Sequence, residues 1–130
     1  MRRAYFDSSA VVKLVRPEAR SADVASVVAE PNIEAVSGRL LETELRRTAE
    51  RYGIPQEDVT ATLDQFELFA HPDWDFRAAG LIPGKAVRSL DAIHIAAAIR
   101  VEADAMITYD ERMVEAAGAM GLAVIQPGIG

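Results

Sequence analysis

Cysteine is absent from the sequence, which excludes both a disulfide framework and a metal site built from thiolates. Long hydrophobic runs are absent as well, and no segment approaches the ~18 apolar residues of a membrane-spanning helix. The amino terminus carries two arginines but is interrupted by Asp7 and Lys13, so it makes a poor signal peptide. These features lead us to expect a cytoplasmic protein.

Positive charge is also scarce. Lys and Arg number 14 against 20 Asp and Glu, and the formal net charge of −6 argues against a protein that holds nucleic acid mainly by neutralising phosphates. Local binding of nucleic acid, or a cluster of acids around a cation, stays possible. The chain has 130 residues, is 50% hydrophobic and contains no repeat or linker, which predicts a single domain over residues 1–130.

Strand-like and helix-like segments alternate along the chain, which implies an α/β sandwich around a mainly parallel sheet flanked by helices. The predicted strands cover residues 3–7, 33–37, 105–109 and 122–127. The predicted helices cover residues 8–15, 18–29, 38–52, 55–68, 89–102 and 111–120, with Ser8 or Ser9 capping the first and Ser89 capping the fifth. Residues 69–88 show no clear pattern.

Two acids stand directly after predicted strands. Asp7 ends the apolar run at the amino terminus, and Asp110 ends the run at 105–109. Ligand sites in parallel α/β sheets lie beyond the carboxyl ends of the strands, so both are candidates for a site. Either one alone could equally be a helix N-cap. The repeated placement favours a site.

A third acid, Glu44, falls within the apolar stripe of the predicted helix 38–52. At about 100° per residue, its two nearest leucines lie roughly 40° and 60° to either side. Glu42 lies on the opposite side, with Arg46 at the favourable i,i+4 spacing for a solvated ion pair. An inward acid must be paired or bind a cation. For Glu44 the partner is therefore a cation or a structural arginine, Arg47 or Arg51.

The fourth acid, Asp91, opens an almost wholly apolar helix. The helix dipole stabilises a charge there by about 0.3–1 kcal/mol, so a purely structural role is one interpretation. A helix this apolar should be buried, however, which brings Asp91 close to the edge of the sheet. His94 follows one turn later, where a hydrogen-bonded core histidine is favoured over a catalytic base.

Four carboxylates at one end of a sheet would repel one another unless a cation neutralised them. Oxygen ligands suit Mg²⁺ or Mn²⁺, and such ions can activate water and stabilise the charge that develops on a phosphodiester. The sequence offers little else for nucleophilic chemistry, because it has no cysteine and only two histidines. The candidate ligands are Asp7, Glu44, Asp91 and Asp110.

Four ordered segments of the chain resemble PIN-domain proteins and, more closely, the VapC toxins of bacterial type II toxin–antitoxin systems. The segments are FDSSAVVKLV at 6–15, SGRLLETELRR at 37–47, RSLDAIHIAAAI at 88–99 and TYDERMVEAAGAMGL at 108–122. The resemblance runs nearly from end to end and is weakest in residues 69–88. It implies a PIN-like three-layer sandwich.

The resemblance also implies a function. The family's acidic quartet falls on Asp7, Glu44, Asp91 and Asp110, of which the three aspartates would bind the metal directly and Glu44 directly or through water. The implied activity is that of a Mg²⁺- or Mn²⁺-dependent endoribonuclease acting on transfer or ribosomal RNA. The implied partners are a second copy of the chain and a VapB-type antitoxin, in a heterotetramer or a larger complex.

Three further residues are candidates for supporting roles. Ser8 would orient Asp7 or a metal-bound water, or else cap the first helix. Thr108 and Arg112 flank Asp110, and Arg112 would contact phosphate unless it is an ordinary surface arginine. The other cations that could line an RNA path, or be solvated charges, are Arg47, Arg51, Lys85 and Arg88.

Three other functions compete with a nuclease. A PIN-fold module that binds RNA or protein without cleaving it would carry the same segments. A phosphoacceptor signalling domain would need paired acids after its first strand, whereas Asp7 stands alone, and a lysine after a late strand, where this chain has Gln126 and Pro127. A phosphatase of the Asp-x-Asp type would need an acid at position 9, which is serine.

Overall fold

Five parallel strands and seven helices alternate along residues 1–129, the part of the chain that the computed structural model describes. The strands are β1 (Arg2–Phe6), β2 (Ile33–Gly38), β3 (Glu67–Phe69), β4 (Ala105–Ile107) and β5 (Ala123–Ile125). The helices are α1 (Ser8–Val15), α2 (Ser21–Ala29), α3 (Leu40–Tyr52), α4 (Gln56–Leu63), α5 (Asp73–Gly80), α6 (Ser89–Arg100) and α7 (Glu111–Ala119). The sheet order is β3-β2-β1-β4-β5, and every neighbouring pair is parallel, which confirms the predicted fold class.

The sheet divides the core into two apolar layers, because successive residues of a strand point to opposite faces. In β1, Ala4 and Phe6 pack with residues of α1 to α4, whereas Tyr5 packs with residues of α6 and α7. Tyr5 and Phe6 are fully buried. Helices therefore cover both faces of β1, and its carboxyl end opens between them. No helix of the described residues combines the length and apolarity that crossing a bilayer requires.

The helix predicted over 55–68 is wrong at its carboxyl end. The helix stops at Leu63, and Gln65 and Phe66 then donate backbone hydrogen bonds to Thr62 and Leu63 in a turn. The strand β3 follows and pairs with the end of β2. A strand of three residues is too short to show the alternation by which strands are recognised in a sequence.

The unpatterned segment at 69–88 contains the helix α5. This helix reverses the usual distribution, because Asp75 is fully buried while Trp74 and Phe76 are about half exposed. The buried carboxylate is held by Arg100 and His71, which lie outside the helix. An apolar-inward pattern could not reveal a helix whose buried face carries a charge.

The predicted helix caps also need correction. Asp7, not Ser8 or Ser9, is the N-cap of α1, and its side chain accepts a hydrogen bond from the backbone of Ala10. The helix α6 begins at Ser89 itself, and the residue at its N-cap position makes no side-chain capping bond. An acid that caps a helix is held in a defined direction by the backbone N–H group to which its side chain is hydrogen-bonded.

Candidate active site

Asp7 and Asp110 lie beyond the carboxyl ends of two neighbouring strands. The strands β1 and β4 are paired with Phe6 opposite Ile107, so the segments that follow them leave the sheet side by side. Each aspartate is also an N-cap, since Asp7 accepts from Ala10 N at 3.1 Å and Asp110 accepts from Arg112 N at 2.9 Å. Both acids are therefore helix N-caps. A capping role is compatible with a role in a site, because the capping hydrogen bond orients the carboxylate and engages only one of its two oxygens.

Asp7 is almost completely buried, with 3% of its surface exposed. Its Oδ1 accepts from Ser9 Oγ at 2.7 Å, and its Oδ2 accepts from Thr108 Oγ1 at 2.6 Å. Burial raises the pKa of this carboxyl to about 6, although the hydrogen bonds from Thr108 and Ser9 favour the charged form and oppose the shift. Asp7 is thus an oriented carboxylate that binds a proton more readily than an exposed one.

Thr108 joins the two strand-end acids. Its hydroxyl donates to Asp7 and accepts from the backbone N–H of Asp110 at 3.2 Å. Ser9 strengthens the link, because Tyr109 N donates to Ser9 Oγ at 2.9 Å. The turn after β4 is therefore fastened to the turn after β1 by side-chain hydroxyls.

Glu44 lies on α3 with its carboxylate turned toward α6. Its Oε1 lies 2.6 Å from His94 Nε2, and its Oε2 lies 3.4 Å from Ser8 Oγ. The side chain of Glu44 is 17% exposed, whereas that of Glu42 is 33% exposed and pairs with Arg46 at 2.9 Å. The structure therefore gives the inward glutamate a histidine as its partner instead of the arginine that the sequence offered as an alternative.

Asp91 differs from the other three acids in its hydrogen bonding. Its Oδ2 is the one buried side-chain polar atom in residues 1–129 that lacks a hydrogen-bond partner. Burial raises the pKa of Asp91, and the charges of Asp110 and Glu44 raise it further, while the charge of Arg88 acts in the opposite direction. A buried unpaired oxygen beside two other acids is costly in an isolated protein and calls for a positive partner.

The structure therefore brings the predicted acids to one end of the sheet. Glu44, Asp91 and Asp110 are close enough for their charges to interact, and Thr108 connects Asp110 to Asp7.

The chain matches the family model described as PIN domain over residues 4–119. It is 38% identical to Ribonuclease VapC35 of Mycobacterium tuberculosis over 134 aligned residues, which cover 95% of this chain and 96% of that protein. The chain belongs to the VapC family of PIN-domain proteins.

Solved structures of the PIN fold resemble this chain closely in backbone. VapC20 of Mycobacterium tuberculosis, a Sarcin-Ricin loop cleaving toxin, superposes with a TM-score of 0.74 at 15% identity and covers 95% of this chain and 99% of its own. A toxin–antitoxin complex from Klebsiella pneumoniae superposes with a TM-score of 0.72 at 21% identity and covers 95% and 97%. The three-layer arrangement of helices around a parallel sheet is thus shared at low sequence identity.

The acids of this VapC-family chain fit a hard cation in chemistry. All four are oxygen donors, and the Oδ2 of Asp91 is buried without a protein partner. No three His, Asp or Glu side chains in residues 1–129 are arranged to hold one ion between them. Asp7 and Glu44 direct oxygens to Thr108 and His94 instead. A magnesium site at these acids stays a prediction.

The supporting residues predicted for this PIN domain lie at the site in different ways. Thr108 contacts Asp7 directly, whereas Ser8 points toward Glu44 and the role expected of Ser8 at Asp7 falls to Ser9. Arg112 places Nε 3.7 Å from Asp110 Oδ1, and its side chain is 43% exposed. Together with Lys85 it lines a cavity of about 260 Å³ next to α7.

Sequence reasoning missed two contacts of the site. Ser9 was predicted only to cap the first helix, although it stands two residues after a candidate acid, and its hydroxyl donates to that acid, Asp7. His94 was expected to be a core histidine, and it is buried with both ring nitrogens hydrogen-bonded. Its contact with Glu44 joins α6 to α3, a pairing across 50 residues that no local pattern signals.

Proposed function

We propose that this chain is a metal-dependent endoribonuclease toxin that hydrolyses phosphodiester bonds in RNA, with Mg²⁺ as its cofactor and Mn²⁺ as a substitute. The observation that carries the proposal is the gathering of acids beyond β1 and β4, in which a buried oxygen of Asp91 has no protein partner. The 38% identity to Ribonuclease VapC35 supports it.

Each acid has a separate part in the proposed chemistry. Asp7, Asp91 and Asp110 would bind the cation directly, and Glu44 would bind it directly or through water. A divalent cation supplies Lewis-acid polarisation of the phosphodiester and lowers the pKa of water. The hydrogen bond from Thr108 fixes the direction of Asp7 Oδ2, which keeps a second lone pair for a ligand, whereas Oδ1 already accepts from Ser9 and Ala10.

Transfer or ribosomal RNA is the proposed substrate class. The net charge of −6 gives the chain little general affinity for phosphate, so contacts near the acids have to hold the strand. Arg88 acts electrostatically on Asp91, and Arg112 lies beside Asp110. We expect these cations to contact the phosphates that flank the scissile bond.

Removing the metal tests the activity. Purified protein with 5′-labelled transfer RNA is expected to give discrete cleavage products in Mg²⁺ or Mn²⁺ and none in EDTA, with activity restored when the cation is added back. Loss is expected because the clustered carboxylates provide ligands but no nucleophile of their own. Product ends are mapped by gel electrophoresis and sequencing.

Two variants control this experiment. Asp7→Asn, purified in the same way, detects contaminating nuclease and is expected to be inactive. Glu42→Gln alters an acid of α3, the helix that also carries Glu44. Glu42 pairs with Arg39 and Arg46 outside the cluster, so this variant is expected to cleave like the unaltered protein. Cleavage that survives EDTA and Asp7→Asn, or RNA binding with no cleavage in any cation, contradicts the proposal.

The proposed partners are a cognate VapB-type antitoxin and a second copy of the chain. The product of a short reading frame adjacent to this gene is expected to relieve the growth arrest that expression of the chain alone causes, because it covers the cluster of acids. The co-purified complex is expected to have the mass of a heterotetramer or larger by light scattering. Growth arrest that the co-expressed product leaves unchanged contradicts the assignment of that partner.

A further inference from the structure

The buried side chain of His94 connects the site to the middle of the sheet. Its Nε2 lies 2.6 Å from Glu44 Oε1 and its Nδ1 lies 2.7 Å from the hydroxyl of Tyr5. The His94 and Tyr5 rings pack edge to face with centroids 5.6 Å apart. Both residues are fully buried, so water does not compete for these hydrogen bonds.

The chemistry of the two neighbours determines where the ring protons lie. An ionised carboxylate can only accept, so His94 Nε2 carries a hydrogen and donates it to Glu44. In the neutral ring Nδ1 then accepts, and the Tyr5 hydroxyl donates to it. Burial raises the pKa of Tyr5 above its usual range, which keeps that hydroxyl protonated and able to donate.

This arrangement makes the two oxygens of Glu44 unequal. Oε1 receives the hydrogen bond from His94, whereas Oε2 is directed toward Ser8 at 3.4 Å, on the side of the first turn of α1. A glutamate side chain free to rotate would offer either oxygen, or both, and would lose rotamer entropy on binding an ion. The hydrogen bond removes that freedom in advance.

We propose that His94 is a positioning residue that holds Glu44 so that only Oε2 faces the cation site, with Tyr5 fixing the tautomer of the imidazole. The inference rests on the proposed function, because it concerns how Glu44 meets the metal. Outer-shell partners of this kind typically change metal affinity by about 10- to 100-fold. A histidine that only fills the core would leave metal affinity unchanged in a folded variant.

Two amide substitutions separate positioning from packing. In His94→Gln the amide nitrogen falls near the position of Nε2 and can still donate to Glu44. In His94→Asn the amide group falls near the position of Nδ1, where its oxygen can accept from Tyr5, but it does not reach Glu44. Both variants place a polar amide in the same buried position, and each keeps one of the two original hydrogen bonds.

The first measurement is Mn²⁺ affinity without RNA, followed by the electron paramagnetic resonance signal of free Mn²⁺. His94→Asn is expected to bind Mn²⁺ about 10- to 100-fold more weakly than the unaltered protein, and His94→Gln within about threefold of it. Thermal melting and circular dichroism establish that both variants are folded. Equal losses of affinity in the two variants overturn the inference.

Failure of the inference and failure of the proposed function give different results. If the unaltered protein binds no Mn²⁺, the proposed function fails and the inference fails with it. If the unaltered protein binds Mn²⁺ and cleaves RNA while His94→Asn binds Mn²⁺ normally, only the inference fails.

A second measurement needs no variant of His94 and no metal. Long-range proton–nitrogen correlation spectra of the unaltered protein are expected to show a hydrogen on His94 Nε2. Tyr5→Phe serves as a comparison, and it is expected to shift the Nδ1 resonance because the donor to that nitrogen is removed. A His94 ring without a hydrogen on Nε2 overturns the inference, even if both amide variants fail to fold.

Discussion

Replacing Asp7 by asparagine is expected to stabilise the metal-free protein at pH 7.5 while it abolishes RNA cleavage. Burial raises the pKa of Asp7 from 3.8 to about 6, so the folded state must keep a charged carboxylate out of water at neutral pH. One pKa unit corresponds to about 1.4 kcal/mol, so the free energy of unfolding should rise by about 2–3 kcal/mol in Asp7→Asn. Asparagine can still accept from Ser9 and Ala10.

The effect of Asp7 on stability has a definite pH window. Because its pKa is higher in the folded state than in the unfolded chain, the folded state binds the proton more tightly. The stability that this proton provides is complete below about pH 4 and is lost as the pH rises through about 6. The difference between Asp7→Asn and the unaltered protein should therefore be large at pH 7.5 and shrink toward zero near pH 4.

Thermal melting in EDTA at several pH values measures the stability difference, and cleavage of labelled RNA in Mn²⁺ measures activity. The melting temperature at pH 7.5 is expected to rise by roughly 5–10 °C, and the cleavage rate to fall by more than the roughly 100-fold typical of outer-shell changes. Asp58→Asn, an exposed acid in the first turn of α4, is the matched control and should change stability by less than about 1 kcal/mol, the upper range for a charge at that place in a helix. A lower melting temperature at pH 7.5, or activity that persists, contradicts the assignment of Asp7.

The parts of this molecule that sequence could predict follow simple periodic rules. The strands β1, β2 and β4 and the long helix α3 show clear apolar patterns, and the acids that follow β1 and β4 are visible because each interrupts such a pattern. The inward position of Glu44 came from helical spacing alone. Family resemblance then assembled these separate signals into one site.

The parts that sequence could not predict depend on contacts between distant segments. His94 meets Glu44 across 50 residues, and Ser9 meets Thr108 across 99, so neither pairing has a local signature. The helix α5 was missed because its buried position is occupied by Asp75, a residue that on its own predicts exposure. Only the three-dimensional structure shows that Arg100 provides the compensating charge.

That buried pair gives the second large prediction, which concerns stability away from the acids. Asp75 has no exposed side-chain surface, and Arg100 donates to it through Nε at 2.6 Å and through a second nitrogen at 3.2 Å. His71 contacts the same carboxylate through Nδ1 at 2.9 Å and accepts from Leu40 N at 3.1 Å, at the first residue of α3. Asp75 therefore supports, through His71, the start of the helix that carries Glu44.

Arg100→Leu is expected to lower the free energy of unfolding by about 3 kcal/mol. Removing one partner of a buried ion pair leaves the other charge without compensation, which typically costs about 3–5 kcal/mol. The lower end applies because the Arg100 side chain is 29% exposed, so water already screens part of the interaction. Urea unfolding followed by circular dichroism gives the free energy, and an unchanged slope shows that the change lies in stability.

A second substitution tests whether the lost stability comes from the uncompensated charge of Asp75 or from the lost packing of the aliphatic part of Arg100. In Asp75→Asn combined with Arg100→Leu, the buried group is neutral and can still meet His71, so much of the lost stability should return. If the double variant is as unstable as Arg100→Leu alone, the uncompensated charge is not the cause. Recovery would show that the cost of Arg100→Leu comes from the uncompensated charge of Asp75. In the unaltered protein Arg100 therefore stabilises the contact between α5 and α6 by neutralising a buried acid.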